Sequence, residues 1–409
     1  MGLVKSYMAE LEERGFGAVD GQAVCLACVL DPTLQETLRP RLAEHECAFC
    51  GARSGDAGEP IAVDFEDLMH AVMLAVRFLY LTVEDACMLY DSEDGVYVGG
   101  SVYDATEVAY AVCEGDVTDE VVQAIGAAII EDAWTEAHGD SGPTRTDERL
   151  RYGWESLCDQ VKHRSRFVFL STADPDPHPD DITAPMLLRH LERIIDRHRL
   201  RRIVRAGRRF WRGRLTRDPD DLLRLANAEQ LGSAPRHRAS NNRFSPVGIS
   251  MFYGSDSADT VVAEIGAHGT GDYAVIGAFE TVRDLLLLDL VDLPPVPSPY
   301  TEAGRGSHFY DLIFLHRFVS DLTKPVVPDD HLHIEYVPTQ VVTEYLRYAA
   351  ASPVDGILFR GAQDGRVNTV LFCDPDGCVD DITAPREVWE AKPYLRFAAD
   401  SAQLRLLSS

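Results

Sequence analysis

The chain is 409 residues long, 45% hydrophobic, and carries a formal net charge of −27 at pH 7. That length suits two or three domains with a sizeable core, and so acidic a chain argues against broad binding to nucleic acid or to anionic membranes. No run of eighteen apolar residues occurs and the opening MGLVKSYMAELEERG lacks a secretory apolar region, so the expected location is the cytoplasm, with no membrane partner.

Residues 1–20 read as a short amphipathic helix. Cys25-Leu26-Ala27-Cys28 and Cys47-Ala48-Phe49-Cys50 then stand eighteen residues apart. Each C-x₂-C pair closes a tight knuckle that offers two thiolates to a tetrahedral ion, and Gly51 suits such a turn. Cys25, Cys28, Cys47 and Cys50 are therefore the expected ligands of a structural Zn²⁺, with His45 as the substitute ligand. The stretch between the pairs reads mostly as helix. Residues 1–58 form this zinc-knuckle segment, and 59–171 a helical domain. Phe65, Leu68, Met69, Val72, Val76, Leu79 and Tyr80 recur at helical spacing. Further helices are expected near Asp104–Val112 and Thr118–His138, with a turn or short hairpin at Gly95–Ser101. Residues 147–171 predict another helix and then a short apolar strand. Prolines within Asp174–Asp181 forbid helix, so 172–184 is a linker.

The second folded region spans 185–385. Between Arg189 and Arg214 the chain holds eleven arginines against Glu192 and Asp196. The first part reads as a helix that buries Leu187, Leu191, Ile194 and Ile195 and wets its arginines. Arg209–Leu215 reads as a strand whose alternation puts Phe210, Arg212 and Arg214 on one face. Leu222–Leu231 is expected to be one helix. Strands follow at Tyr273–Phe279 and Leu285–Leu290, a stiff proline loop at Pro294–Tyr300, and a helix at Phe309–Ser320. Pro338 suits a helix start, where its missing N–H costs nothing. Thr339 and Gln340 serve there either for packing or for ligand contact. Asp355–Phe359 and Asn368–Phe372 pair around Gln363-Asp364-Gly365. Cys373 and Cys378 read as ordinary thiols. Residues 386–409 are a tail, with a last helix at Val388–Leu395 before the chain frays.

The stretch Asn242–Gly266 holds the richest chemistry. Arg243 opens it in a turn-rich context, Val247–Tyr253 reads as a strand, and Asp256 is placed to cap a helix carrying Val261, Val262, Glu264 and Ile265. Arg grips phosphate with two prongs, Tyr offers a flat ring face, and Glu stabilises a developing cation. The same pattern also fits an edge strand and a surface helix whose Arg and Glu are merely solvated.

R-F-S-P-x-G-x-S-x-x-Y, with Glu264 eleven residues after Tyr253 in a T-V-V-A-E helix, resembles the signature of RES-domain proteins. Y-x-P-T-Q at 336–340 and the N-x-x-L-F strand from Asn368 strengthen the resemblance. These are bacterial toxin-type enzymes that consume NAD⁺, similar in fold to ADP-ribosyltransferase toxins. The N-terminal bundle with its Cys₄ knuckle resembles the HEPN/RES N-terminal domain. The R-x₄₋₆-H pattern of HEPN ribonucleases is absent around Arg77 and His70, so this part is expected to be non-catalytic. The expected fold class is α+β, a zinc knuckle and helical bundle ahead of an ADP-ribosyltransferase-like RES domain.

The resemblance implies cleavage of the nicotinamide–ribose bond of NAD⁺ as a glycohydrolase or phosphorylase, with transfer to a macromolecule or simple nucleotide binding as the alternatives. It gives Arg243, Tyr253 and Glu264 the catalytic roles, and Arg212 (with Arg214 in reserve), Arg243, Tyr253 and Asn368 the binding of NAD⁺. Where the family places a Ser after the first strand of the last hairpin, this chain has Gly361. Ser352 or a shifted loop is the candidate to compensate. An antitoxin-type partner or the N-terminal domain is expected to restrain the enzyme, and oligomerisation is left open.

Overall fold

Local capping signals set the first helices. The computed structural model describes residues 11–19, 21–55, 58–138, 144–168, 181–268, 271–302, 304–326, 332–361, 365–382 and 392–407. The expected helix over 1–20 lies largely outside these, as do most of the linker 172–184, the end of the strand before it, the turn at 363–364 and most of the helix expected at Val388–Leu395. Chain contacts divide the protein into two units. One holds Met1–Arg149 with Pro295–Phe314, the other Leu150–Pro294 with Leu315–Ser409.

In the first unit, β1 (Ala23–Cys25) pairs antiparallel with β2 (Ala62–Asp64). Between them, Asp31 caps α1 (Pro32–Leu38) by accepting from Leu34 N at 2.6 Å. Helix α2 (Phe65–Leu79) buries Phe65, Leu68, Met69, Val72 and Val76, the stripe read from the sequence. Strand β3 (Tyr80–Thr82) follows, then the hairpin of β4 (Leu89–Asp91) and β5 (Val96–Val98). Helix α3 (Ala105–Cys113) opens with a full capping box between Asp104 and Glu107. Helix α4 (Asp119–Ala128) stops ten residues before the expected end at His138. Past it, β6 (Trp134–Glu136) pairs with β3, and Trp134 exchanges backbone hydrogen bonds with Tyr103 while burying its indole. Pairing the strand and burying Trp134 outweigh helix continuation. The segment 295–314 belongs here through Tyr300, whose buried hydroxyl lies 2.8 Å from both the Val112 carbonyl and the Asp116 carboxylate.

Helix α5 (Thr146–Asp159) carries the chain on to the second unit, which is built on a nine-stranded mixed sheet. Its strands are β7 (Arg201–Val204), β8 (Arg209–Thr216), β9 (Phe252–Ser255), β10 (Tyr273–Thr281), β11 (Leu285–Asp289), β12 (Gly356–Arg360), β13 (Val367–Leu371), β14 (Cys378–Val379) and β15 (Leu395–Leu406). Across the sheet they run β14-β15-β10-β8-β9-β13-β12-β11-β7. Strands β10 and β11 stand five places apart yet are joined by Val282, Arg283 and Asp284 alone. Five strand spacings in a flat sheet are about 24 Å, beyond the roughly 14 Å that such a link can span. The link from β7 to β8 poses the same problem. The sheet is therefore curled, and the two links bond to each other: Gly207 N donates to the Thr281 carbonyl at 2.7 Å and Ala206 N to Asp284 at 3.0 Å.

The inner face closes into one core containing Phe210, Phe252, Phe279, Leu287, Leu358, Leu371 and Phe397. Two short helices, α7 (Leu222–Leu225) and α8 (Ala228–Leu231), add Leu225 and Leu231 to it. They replace the single helix expected there, because Asn227 leaves helical geometry to cap α8, accepting from Gln230 N at 2.9 Å. On the outer face, α6 (Ala184–Arg197), α10 (Ser307–Thr323) and α11 (Val337–Glu344) cover one end, where Leu191, Ile195, Leu315, Phe318 and Val342 meet Leu288 and Ile357. Helix α9 (Ala258–His268) covers the other, over Ala274 and Ile276. The tail expected to fray is strand β15, which pairs antiparallel with the whole of β10.

Glu280 of β10 links three neighbouring strands, bonding Arg209 of β8 at 2.8 Å and Arg396 of β15. Arg396 first and Arg209 second hold its carboxyl below the ordinary value of 4.5. A depressed carboxylate contributes its stability above that ordinary value and loses it as pH falls through the lower folded one. Glu280→Gln is thus expected to lower Tm by about 2–4 °C at pH 7. The difference from the unsubstituted chain should close in acid, below the folded value. Thermal unfolding followed by circular dichroism across that range checks both.

Candidate functional site

Register decides which side chains meet. Trp211 pairs with Ser255, Ser255 with Asn368, and Asn368 with Phe359. Paired residues share a face, so Tyr253, Ser255 and Asn368 lie on the outer face with α9. Arg212 and Arg214 lie on the inner face with Phe210 and Phe252, as alternation predicts. The Arg212 guanidinium stands 5.2 Å from the Phe252 ring and donates to the Tyr253 carbonyl at 2.9 Å. It reaches the backbone of β9 from the side opposite the Tyr253 ring. Burial pulls its pKa down. Arg214 is exposed and bonds Gln230 at 3.0 Å.

The strand expected over Val247–Tyr253 begins only at Phe252, because Gly248 turns the chain at φ +86°. Tyr253 places its hydroxyl 2.9 Å from Ser245 Oγ. Burial pushes this phenol up to about 12, so it stays protonated at neutral pH. Arg243 is committed elsewhere. It donates through Nη1 to the Leu322 carbonyl at 2.6 Å and through Nη2 to the Lys324 carbonyl at 2.7 Å, closing the C-terminus of α10. Such a cation at carbonyl ends stabilises a helix, and burial again lowers the pKa. Gln340 serves this loop, donating to Asn241 Oδ1 at 2.9 Å and to the Asn242 carbonyl at 2.8 Å. Of the two roles open for it, the structure shows positioning of the backbone ahead of Arg243.

Glycine at 213 sets the height of α9. A Cβ there would stand 2.9 Å from both Val261 Cγ1 and Ile265 Cδ1, so only Gly lets the helix lie this close to β8. Ser257 Oγ, rather than Asp256, faces the first turn, 3.5 Å from Thr260 N. The close helix brings Glu264 to Asn368, whose Nδ2 donates to Oε1 at 3.5 Å. Asn368 is 6% exposed and its Oδ1 is buried with no partner among the described residues. A buried carbonyl oxygen left unpaired is costly and calls for a donor. Glu264 itself is exposed. Tyr253, Asn368 and Glu264 thus share one face, Arg243 is tied to α10, and Arg212 comes from behind the sheet.

Residues 221–397 match the RES domain model, and residues 41–175 match HEPN/RES N-terminal domain 1. The chain carries a RES domain. No curated protein matches it.

Within the RES domain, Gly361 follows β12 and its N–H bonds the Arg366 carbonyl at 2.8 Å. Ser352 precedes β12, so the strand's five residues, at about 3.3 Å each, separate it from Gly361. It cannot stand in for the missing hydroxyl. Sequence patterns gave no role to Ser245, although it lies inside the R-F-S-P motif, to Thr260, although it opens the T-V-V-A-E stretch, or to Arg366, which carries no motif. Cys373 and Cys378 are buried with sulfurs 3.7 Å apart, and Ser233 lies 3.6 Å from Cys378.

In the unit ahead of the RES domain, the four knuckle cysteines do converge. Their sulfurs all lie within 4.8 Å of one another. Cys25–Cys28, Cys25–Cys50 and Cys28–Cys47 are 3.7, 3.5 and 3.8 Å apart. A tetrahedral ion with bonds of about 2.3 Å to sulfur requires edges of roughly 3.8 Å, so the cluster fits a metal. Gly51 turns at φ +70°, as its place after Cys50 demands. Burial opposes ionisation of Cys47, yet backbone N–H groups around its sulfur outweigh it and bring the thiol to about 7. His45 bonds Ser54 at 2.7 Å and is exposed, outside the cluster.

One equivalent of bound metal per chain is expected by elemental analysis, with Cys28→Ser losing it and melting at lower temperature. Four freely alkylated cysteines in folded, metal-free protein would contradict the site.

Proposed function

We propose that the RES domain consumes NAD⁺, as a toxin-type enzyme that breaks the bond between nicotinamide and ribose. RES domains are generally associated with NAD-processing enzymes. The observation that carries the reading is the Asn368–Glu264 contact, a carboxylate at the surface backed by a buried amide whose carbonyl oxygen has no partner among the described residues, on one face with Tyr253. The glycosidic bond breaks so that its electron pair leaves with nicotinamide and neutralises the pyridinium. Positive charge grows on the ribose, beside which Glu264 supplies a fixed negative charge. Asn368 orients Glu264 and accepts a ribose hydroxyl at Oδ1. The Tyr253 ring stacks on nicotinamide, its hydroxyl held by Ser245. Arg212 and Arg243 supply positive field for the diphosphate from behind the sheet and from the end of α10.

The acceptor oxygen then bonds to the ribose carbon. Water gives ADP-ribose and releases a proton, whereas inorganic phosphate gives a phosphorylated ADP-ribose. A macromolecular acceptor would make the domain an ADP-ribosyltransferase. Gly361, which offers no hydroxyl where the family has Ser, favours a second reading, a domain that binds the nucleotide with little turnover. The cysteine cluster holds a structural Zn²⁺, since four thiolates complete its coordination. An antitoxin-type partner or the N-terminal region restrains the activity in the cell, because loss of NAD⁺ is toxic.

A proton-NMR time course with NAD⁺, with and without phosphate, tests this. Nicotinamide release is expected from the wild-type chain and on the order of 100-fold less from Glu264→Ala. Equal release from both would remove Glu264 from the mechanism, and NAD⁺ bound without release would favour the second reading.

A further inference from the structure

The diphosphate of NAD⁺ needs a cation that faces the site, and the two arginines expected to provide it are spent on carbonyls. Arg243 gives both Nη1 and Nη2 to the backbone after α10. Arg212 sits on the inner face and gives Nη1 to the backbone of β9. Arg366 lies on the opposite face of the sheet from Arg212. It directly precedes β13, two residues before Asn368, and alternation therefore puts it on the outer face with Asn368 and Tyr253. Its side chain is exposed. Its Nη1 stands 3.3 Å from Oγ1 of Thr260. Thr260 is 1% exposed and one helical turn before Glu264 on the same side of α9. The Arg366 backbone also receives the Gly361 N–H, so this arginine stands at the hairpin end where the family hydroxyl is missing.

We propose that Arg366 is a substrate-binding residue, gripping the diphosphate of the dinucleotide beside Glu264. The proposal rests on the NAD⁺ reading above. A guanidinium fork matches two phosphate oxygens, and a charge-assisted contact of this kind is worth about a factor of ten to a hundred in affinity. The contact is made in the ground state and the transition state alike, so its loss raises KM and leaves kcat nearly unchanged.

The test is calorimetric titration of the full chain with ADP-ribose, which cannot be turned over, together with steady-state kinetics on NAD⁺. Arg366→Ala is expected to weaken ADP-ribose binding about tenfold to a hundredfold. It should raise KM for NAD⁺ by a similar factor. Arg366→Lys should recover part of the loss, as a point charge without the fork. Inhibition by nicotinamide, which has no phosphate, should not change. ADP-ribose affinity within twofold of wild type in Arg366→Ala would overturn the proposal, as would a fall in kcat alone. Wild-type protein that binds neither ADP-ribose nor NAD⁺ would overturn the NAD⁺ reading and this inference together. Wild-type cleavage with an indifferent Arg366→Ala would overturn this inference only.

Discussion

Two short links hold the RES-bearing unit in shape. Strands β10 and β11, and likewise β7 and β8, are distant in the sheet and near in the chain. A flat sheet cannot satisfy either link, so curvature is imposed by chain length and not by a preference of any single residue. Curvature makes the two faces unlike. The inner one gathers large aromatic side chains into a continuous core, and the outer one carries helices. Once the sheet is curled, a residue's parity along its strand decides whether it serves stability or faces a ligand. Gly213 then fixes how near α9 can come, and with it the approach of Glu264 to Asn368.

Arginine is used in three distinct ways. On the outer side of α6 the arginines are exposed, and along the edge strand β7 and just after it arginines pair with carboxylates, Arg202 with Asp289 at 3.2 Å and Arg205 with Asp284 at 2.5 Å. Charged side chains on an edge discourage strand addition from another molecule. Arg243 acts as an internal brace. The density of arginines visible in the sequence is thus mainly a feature of surface and edge, while Arg366, outside that dense run, stands beside the candidate site.

The elements were readable where local chemistry suffices. The cysteine spacing foretold the cluster, helical periodicity foretold the buried face of α2, and alternation foretold the side of β8 that Arg212 occupies. Asn227 and Gly248 broke expected elements through local geometry, whereas the other departures depend on partners remote in sequence. The carbonyls that occupy Arg243 lie 79 and 81 residues on. Helix α4 yields to a strand because Trp134 pairs with Tyr103 and β3. The separation of Arg212 from the Tyr253 ring by the sheet follows from a single bridge between β8 and β9 that no motif encodes.

The position of β15 bears on when the protein takes shape during synthesis. Strand β10, inside the sheet, has β8 on one side and β15 on the other, and β15 is made more than a hundred residues after β10. Until residues 395–406 leave the ribosome, β10 presents an open edge and the inner core lacks Leu395 and Phe397. A nascent chain already carrying Arg243, Glu264 and Asn368 therefore waits on β15 to close the sheet around β10. The ribosome-bound chain thus has its chemical groups before it has the scaffold that holds them.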